Sequence, residues 1–166
     1  MKMNYPIYTM FVPPIMEDEF WPWFAGLVDG EGCFYVLAYV RPTGNIQLVP
    51  GIKIALSSRH EDVLKEIRNK IGFGTIRKDR DRYTVLYFRR QGEIHYVATN
   101  LLPYLKVKRE ACKKLLRILS IMSKHLLEKR LFRKEELLEI LKLRDELSDR
   151  PHPKGYKDWK WFEQFL

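Results

Sequence analysis

Two carboxylates, Asp29 and Glu31, sit in the run WPWFAGLVDGEGCFYV (residues 21–36), among three glycines and an alanine and between blocks of large apolar side chains. A helix through WFAGLVDGEG ends at both acids, where the backbone dipole is already negative and cations are preferred. Carboxylates placed there are locally unfavourable unless a cation joins them. A divalent metal supplies one, and hard oxygen ligands point to Mg2+. Ala25 and Gly26 present almost no side chain, so another backbone can come close. Gly inside a helix costs up to about 1 kcal/mol relative to Ala, and tight helix–helix contact is the usual offset. Other metal or thiol chemistry finds no support: Cys33 and Cys112 form no C-x-x-C, and His60, His95, His125 and His152 show no ligand spacing.

The elements that must position these acids can be read in order. Residues 1–16 form an irregular arm, and a helix starts near Asp18 or Glu19 with Pro22 in its first turn, where a missing N–H costs little. It ends around Gly30 to Gly32. CFYVLAYVRP is rich in β-branched and aromatic residues, TGN is a turn, and IQLVPGIKIALSS returns, with a bulge or bend expected at Pro50-Gly51. Ser58 and Glu61 have capping-box spacing, followed by Val63, Leu64, Ile67 and Ile71 at helical period and Gly72 as the stop. GTIRKD and RYTVLYFRR form a second hairpin. GEIHYVATNLLPYL is a short helix on Ile94, Val97 and Leu101. REACKKLLRILSIMSKHLL is a longer one on Ala111, Leu115, Ile118, Leu119 and Met122. A further helix, RKEELLEILKLRDELS, precedes a tail that Trp159 and Trp161 are expected to dock, with Lys154, Lys157 and Lys160 available to phosphate. The order predicts an α+β class: one antiparallel sheet with helices on one face.

Composition narrows the partner. The 166 residues suit one domain, and 30 Lys and Arg against 21 acids leave +9. Such a charge favours a polyanion, with nucleic acid first and an anionic membrane surface second. No stretch approaches the ~20 apolar residues of a membrane span. The start, MKMNYPIYTMFVPPIM, is broken by three prolines and does not resemble a signal peptide, so an intracellular location is expected. Scarce Asn and Gln beside abundant Lys, Arg and Glu lean toward a thermophilic host. Tyr35, Tyr39 and Arg41 share one side of the first strand, Gln47 and Lys53 one side of the second, and Arg77 and Asp79 one side of the third. With Arg82 they make an aromatic and basic face suited to a nucleic-acid groove. An ordinary solvated sheet face is the competing reading.

FAGLVDGEG, Phe24 to Gly32, closely resembles the LAGLIDADG motif of homing endonucleases, with five of nine positions identical and four conservative. LLPYLKVKREAC, Leu101 to Cys112, resembles that family's segment around an active-site lysine, and the order of elements matches its αββαββα core. The resemblance implies a single domain over 1–166, with its core at about 17–125 and a helical extension and tail over 126–166, whose sheet forms a DNA-binding saddle. It implies Glu31 as the essential metal-binding acid, where Asp is commoner in the family, with the Gly30 carbonyl as a further ligand. Asp29 more often orders the helix end than touches metal. The lysine maps to Lys108, with Lys106 as its rival. Ser57, Ser58 and His60 are candidates for ordering active-site water.

Only one motif copy is present, which in this family implies a homodimer with Phe24, Ala25, Gly26 and Val28 at the interface. The implied activity is Mg2+-dependent cleavage (Mn2+ substituting, Ca2+ binding without supporting it) of both strands of a long palindromic or near-palindromic double-stranded DNA site, leaving short 3′ overhangs. A location with DNA, in archaeal cytoplasm or an organelle, goes with that reading. The alternative is an RNA-splicing maturase or a non-cleaving DNA-binding protein on the same fold.

Overall fold

Helix α1 (Phe20–Glu31) opens the computed structural model, which describes residues 19–166; the arm over 1–16 and a start at Asp18 lie outside the described residues. Strands β1 (Gly32–Val40) and β2 (Ile46–Ser57) follow, then a 3-10 turn over Ser58–His60 and α2 (Glu61–Ile71). Next come β3 (Thr75–Asp79), β4 (Tyr83–Phe88), α3 (Gln91–Leu101), α4 (Arg109–Leu127), α5 (Lys134–Asp145) and α6 (Trp159–Phe162). The strands are ordered β1-β2-β4-β3, an α+β arrangement. Two compact units are present, one from residues 19–33 and Gly51–Arg109, the other from Phe34–Pro50 and Glu110–Leu166.

In the first unit α1 packs against α3, with the Trp21 and Tyr96 rings edge to face at 5.8 Å. Phe20, Phe24, Ala25 and Val28 are buried there with Leu64, Ile67, Ile71, Ile94, Val97 and Leu101. The antiparallel register settles which residues share a sheet face, since directly paired residues point the same way. Ile54, Leu86 and Ile76 form a row on the core face. The opposite face carries the rows Lys53–Tyr87–Thr75, Ala55–Val85–Arg77 and Ser57–Tyr83–Asp79.

Pro50 and Gly51 lie inside β2. Pro50 precedes the β2–β4 register, which begins at Ile52, so its missing N–H removes no bond from that ladder. The Ser58–Glu61 capping box does not form: Ser58 lies in the 3-10 turn, and His60 precedes α2 without a side-chain cap. The hydroxyl of Thr84, the buried polar residue of β4, takes Ser58 and Glu61 as partners instead. The α2 stop is as expected, with Gly72 at φ +92 in the left-handed region.

In the second unit α4 buries Cys112 rather than Ala111, together with Leu115, Ile118, Leu119, Ile121 and Met122. Burial pushes the Cys112 thiol up to about 12, so it is a packing residue. The tail is held by Asp145, which accepts from the Tyr156 hydroxyl at 2.8 Å and the Trp159 N–H at 2.7 Å. Arg144 donates to the carbonyls of Val36 and Lys157, both at 3.0 Å. The fully buried anchor is Phe162; Trp159 and Trp161 are only half-buried, with Lys142 and Lys157 lying over their rings. One helical turn places Phe162 inward and leaves the tryptophans at its flanks.

Candidate functional site

The two acids at the end of α1 have different fates. Asp29 is half-buried, and its carboxylate accepts three backbone N–H bonds: Lys106 at 2.8 Å, Val107 at 3.1 Å and Lys108 at 2.9 Å. Those residues immediately precede α4, so the anion also sits at the positive end of a helix dipole. The Lys108 ammonium donates to the Asp29 carbonyl, placing a cation on the negative end of α1. Three of the roughly four acceptor directions of the Asp29 carboxylate are thus turned toward its own chain.

Glu31 is exposed, and among the described residues no hydrogen bond or ion pair engages its carboxylate. The unfavourable negative charge at the end of α1 is therefore absorbed for Asp29 and left uncompensated for Glu31. Gly30 is exposed beside it. Among the described residues no group of three His, Cys, Asp or Glu side chains could hold a metal ion. One carboxylate and neighbouring carbonyls nonetheless suit Mg2+, which is commonly held by one or two carboxylates with substrate phosphates and water completing the shell. Of the two lysines, Lys108 is the one whose ammonium reaches the helix end. The Lys106 link runs through its backbone N–H.

Removing the Asp29 carboxylate should loosen this junction. Asp29→Ala leaves three N–H groups without their charged acceptor and is expected to cost about 2–4 kcal/mol, since charge-assisted bonds each contribute roughly 1.5–3 kcal/mol and water recovers part of that. Thermal melts with and without Mg2+ check it. A loss of stability seen only when Mg2+ is present would make Asp29 a metal ligand instead.

The motif glycines divide in the same way. A Cβ on Gly32 would lie 2.6 Å from Val28 Cγ1 and 2.7 Å from the Val28 carbonyl oxygen, so the turn from α1 into β1 closes only without a side chain. Gly26 and Gly30 face open space, with nothing within 4 Å of an added Cβ. The expected interface set is corrected accordingly. Phe24, Ala25 and Val28 are fully buried inside the chain and unavailable to a partner, and Gly26 alone of the four is open. Trp23 and Pro22 are exposed on the same side as Gly26. Trp23 is 51% exposed, unusual for so large an apolar ring.

The groove candidates lie as follows. In the second unit Tyr35 is half-buried, Tyr39 is exposed, and the Arg41 guanidinium donates to Gln47 at 2.7 Å. In the first unit Lys53, Arg77 and Asp79 share the non-core sheet face, and Arg82 is exposed in the turn between β3 and β4. Sequence reasoning overlooked Tyr83 and Tyr87 on that face, although alternation along RYTVLYFRR carries the signal. Arg89 lies over the Tyr87 ring at 4.1 Å. Ser57 and Ser58 are half-buried, and Arg59 and His60 exposed, at the end of β2.

A family model described as LAGLIDADG endonuclease matches residues 24–125. The solved homing endonuclease I-TnaI is 28% identical, with a TM-score of 0.69 over 91% of this chain and 97% of that one. The homing endonuclease I-CvuI, in complex with the I-CreI target and Mg with the DNA not cleaved, is 24% identical, with a TM-score of 0.75 over 88% and 91%. The archaeal intron-encoded I-Vdi141I, complexed with DNA, is 20% identical, with a TM-score of 0.73 over 90% and 96%. The latter two speak for the fold. No curated protein matches by sequence.

Proposed function

Since the chain belongs to the LAGLIDADG endonuclease family, we propose that it is a homing endonuclease that binds a long palindromic or near-palindromic DNA site as a homodimer and cuts both strands, leaving short 3′ overhangs. The observation that carries this reading is the Glu31 carboxylate, exposed and unpaired among the described residues, at the helix end whose Asp29 carbonyl accepts from the Lys108 ammonium. Glu31 and the Gly30 carbonyl would hold Mg2+, with DNA phosphate oxygens and a second subunit completing its shell. When bound, such an ion activates water and neutralises charge on a phosphodiester. Lys108 has two N–H donors left after its bond to Asp29, and these can stabilise charge that develops on the phosphate. Asp29 fixes the segment from which Lys108 projects.

The open face of α1, with Trp23, Gly26 and Gly30, is the surface for the second copy, and twofold symmetry goes with a palindromic target. The basic sheet faces supply phosphate and base contacts, and the +9 of each chain is doubled in the dimer.

Selection from a randomised palindromic duplex library tests the reading. With Mg2+ the protein should release cut molecules with short 3′ overhangs, and with a chelator it should release none. Library molecules that are bound but intact in Mg2+ would point instead to a non-cleaving DNA-binding protein or a splicing maturase.

A further inference from the structure

The sheet face opposite the core ends in the row Ser57–Tyr83–Asp79, and beyond it the chain forms a cleft of about 420 Å3. Ser57, Ser58 and Arg59 line one side, and Asp81, Arg82 and Tyr83 the other. Two guanidiniums and three hydroxyls accompany one carboxylate, so the lining carries a net positive charge and several donors. The sides are tied at their base by the Ser58 N–H, which donates to the Arg82 carbonyl at 2.9 Å. Arg80, at φ +47, turns the chain so that Arg82 and Tyr83 return toward Ser58, and the Tyr83 N–H closes that turn on the Arg80 carbonyl at 3.3 Å.

Beneath the cleft Thr84 is fully buried, an unusual place for a hydroxyl without partners. Its Oγ1 lies 3.2 Å from Ser58 Oγ and 3.3 Å from Glu61 Oε2, and Glu61 is further held by Lys65 at 2.7 Å. The 3-10 turn that presents Ser58 and Arg59 is thereby pinned to β4 by a bond at its start and another just past its end.

We propose that this cleft seats one backbone phosphate of bound DNA between Arg59 and Arg82, and that Thr84 is its positioning residue. The proposal rests on the DNA-binding reading above and deepens it. The central sheet rows, with Lys53 and Arg77, read bases, while the cleft at their end fixes the register of the duplex without reading sequence. Guanidiniums suit this task because their planar forks match phosphate oxygens. Phosphate contacts of this kind position a protein on DNA and carry no base information.

Salt dependence distinguishes such a seat from a base contact. Arg59→Ala and Arg82→Ala should each weaken binding equally across a panel of target variants and flatten the plot of log affinity against log salt by about one unit. Thr84→Val keeps the buried shape but removes the hydroxyl. It should lower the slope as Arg59→Ala does, while Thr84→Ser should restore it. A steep wild-type slope left unchanged in both arginine variants overturns the cleft proposal and leaves the DNA-binding reading standing. Losses confined to particular target bases overturn it too, because they make the arginines base readers. A wild-type affinity indifferent to salt removes the DNA reading and this proposal together. Calorimetric titration with inorganic phosphate supplies the remaining arm: saturation by the free ion, with duplex slopes unchanged in the variants, would make the cleft a site for free phosphate rather than a backbone seat.

Discussion

Glu31→Gln is expected to lower the rate of DNA cleavage by about three orders of magnitude or more while leaving most of the DNA affinity in place. The substitution keeps shape and removes only the charge that would hold a divalent ion. Metal assistance is worth several kcal/mol of transition-state stabilisation, and each 1.36 kcal/mol is tenfold in rate. The fold has no stake in the change, because Glu31 is exposed and no described residue pairs with it. Removing a negative charge from the negative end of a helix should even raise stability by a few tenths of a kcal/mol, up to about 1 kcal/mol. Single-turnover cleavage with Mg2+, binding measured with Ca2+, and a thermal melt of the same preparation together test all three parts. Near-wild-type nicking by the Gln variant would remove Glu31 from the reaction.

Gly26→Leu should separate assembly from folding. Within the subunit an added Cβ at Gly26 meets nothing within 4 Å, and replacing Gly in a helix interior gains up to about 1 kcal/mol. The isolated chain should therefore melt no lower than wild type. At a closely packed twofold interface the same side chain intrudes twice. Overpacking costs roughly 1–3 kcal/mol per site, so the dimer should weaken by about 2–6 kcal/mol, or roughly 30-fold to 10⁴-fold in dissociation constant. Sedimentation of both proteins across a concentration series reads the effect directly. Wild-type protein that stays monomeric on saturation with its DNA, or a Leu variant that dimerises as well as wild type, would exclude this helix face as the interface.

Phe24, Ala25 and Val28 show what helical period alone leaves open. A helix of 3.6-residue period carrying Phe, Ala, Gly, Leu and Val has more than one stripe small or apolar enough to meet a neighbour. Packing against α3 assigns Phe24, Ala25 and Val28 to the interior and leaves Trp23 and Gly26 outside. In α4 the expected stripe keeps Leu115, Ile118, Leu119 and Met122, and only its first position moves, from Ala111 to Cys112.

Tyr83 and Tyr87 are the converse case. Alternation along β4 made their shared side legible, but their membership in the basic face needed the register with Lys53 and Asp79. Ser58 and Glu61 have the spacing of a capping pair, yet Thr84, more than twenty residues downstream, competes for both. A local pattern loses when a buried hydroxyl must be satisfied and has no other recourse.

By itself the sequence determined the class of fold, the positions of nearly every helix and strand, the excess of positive charge, and the motif that places two acids at a helix end. These follow from contacts within a few residues or from composition, which a linear reading sees. The resemblance already implied that Asp29 serves the helix end and Glu31 the metal; only the tertiary structure showed which groups hold Asp29. The N–H groups that claim Asp29 belong to residues 106–108, and no local rule foretells which distant backbone will arrive to neutralise a charge.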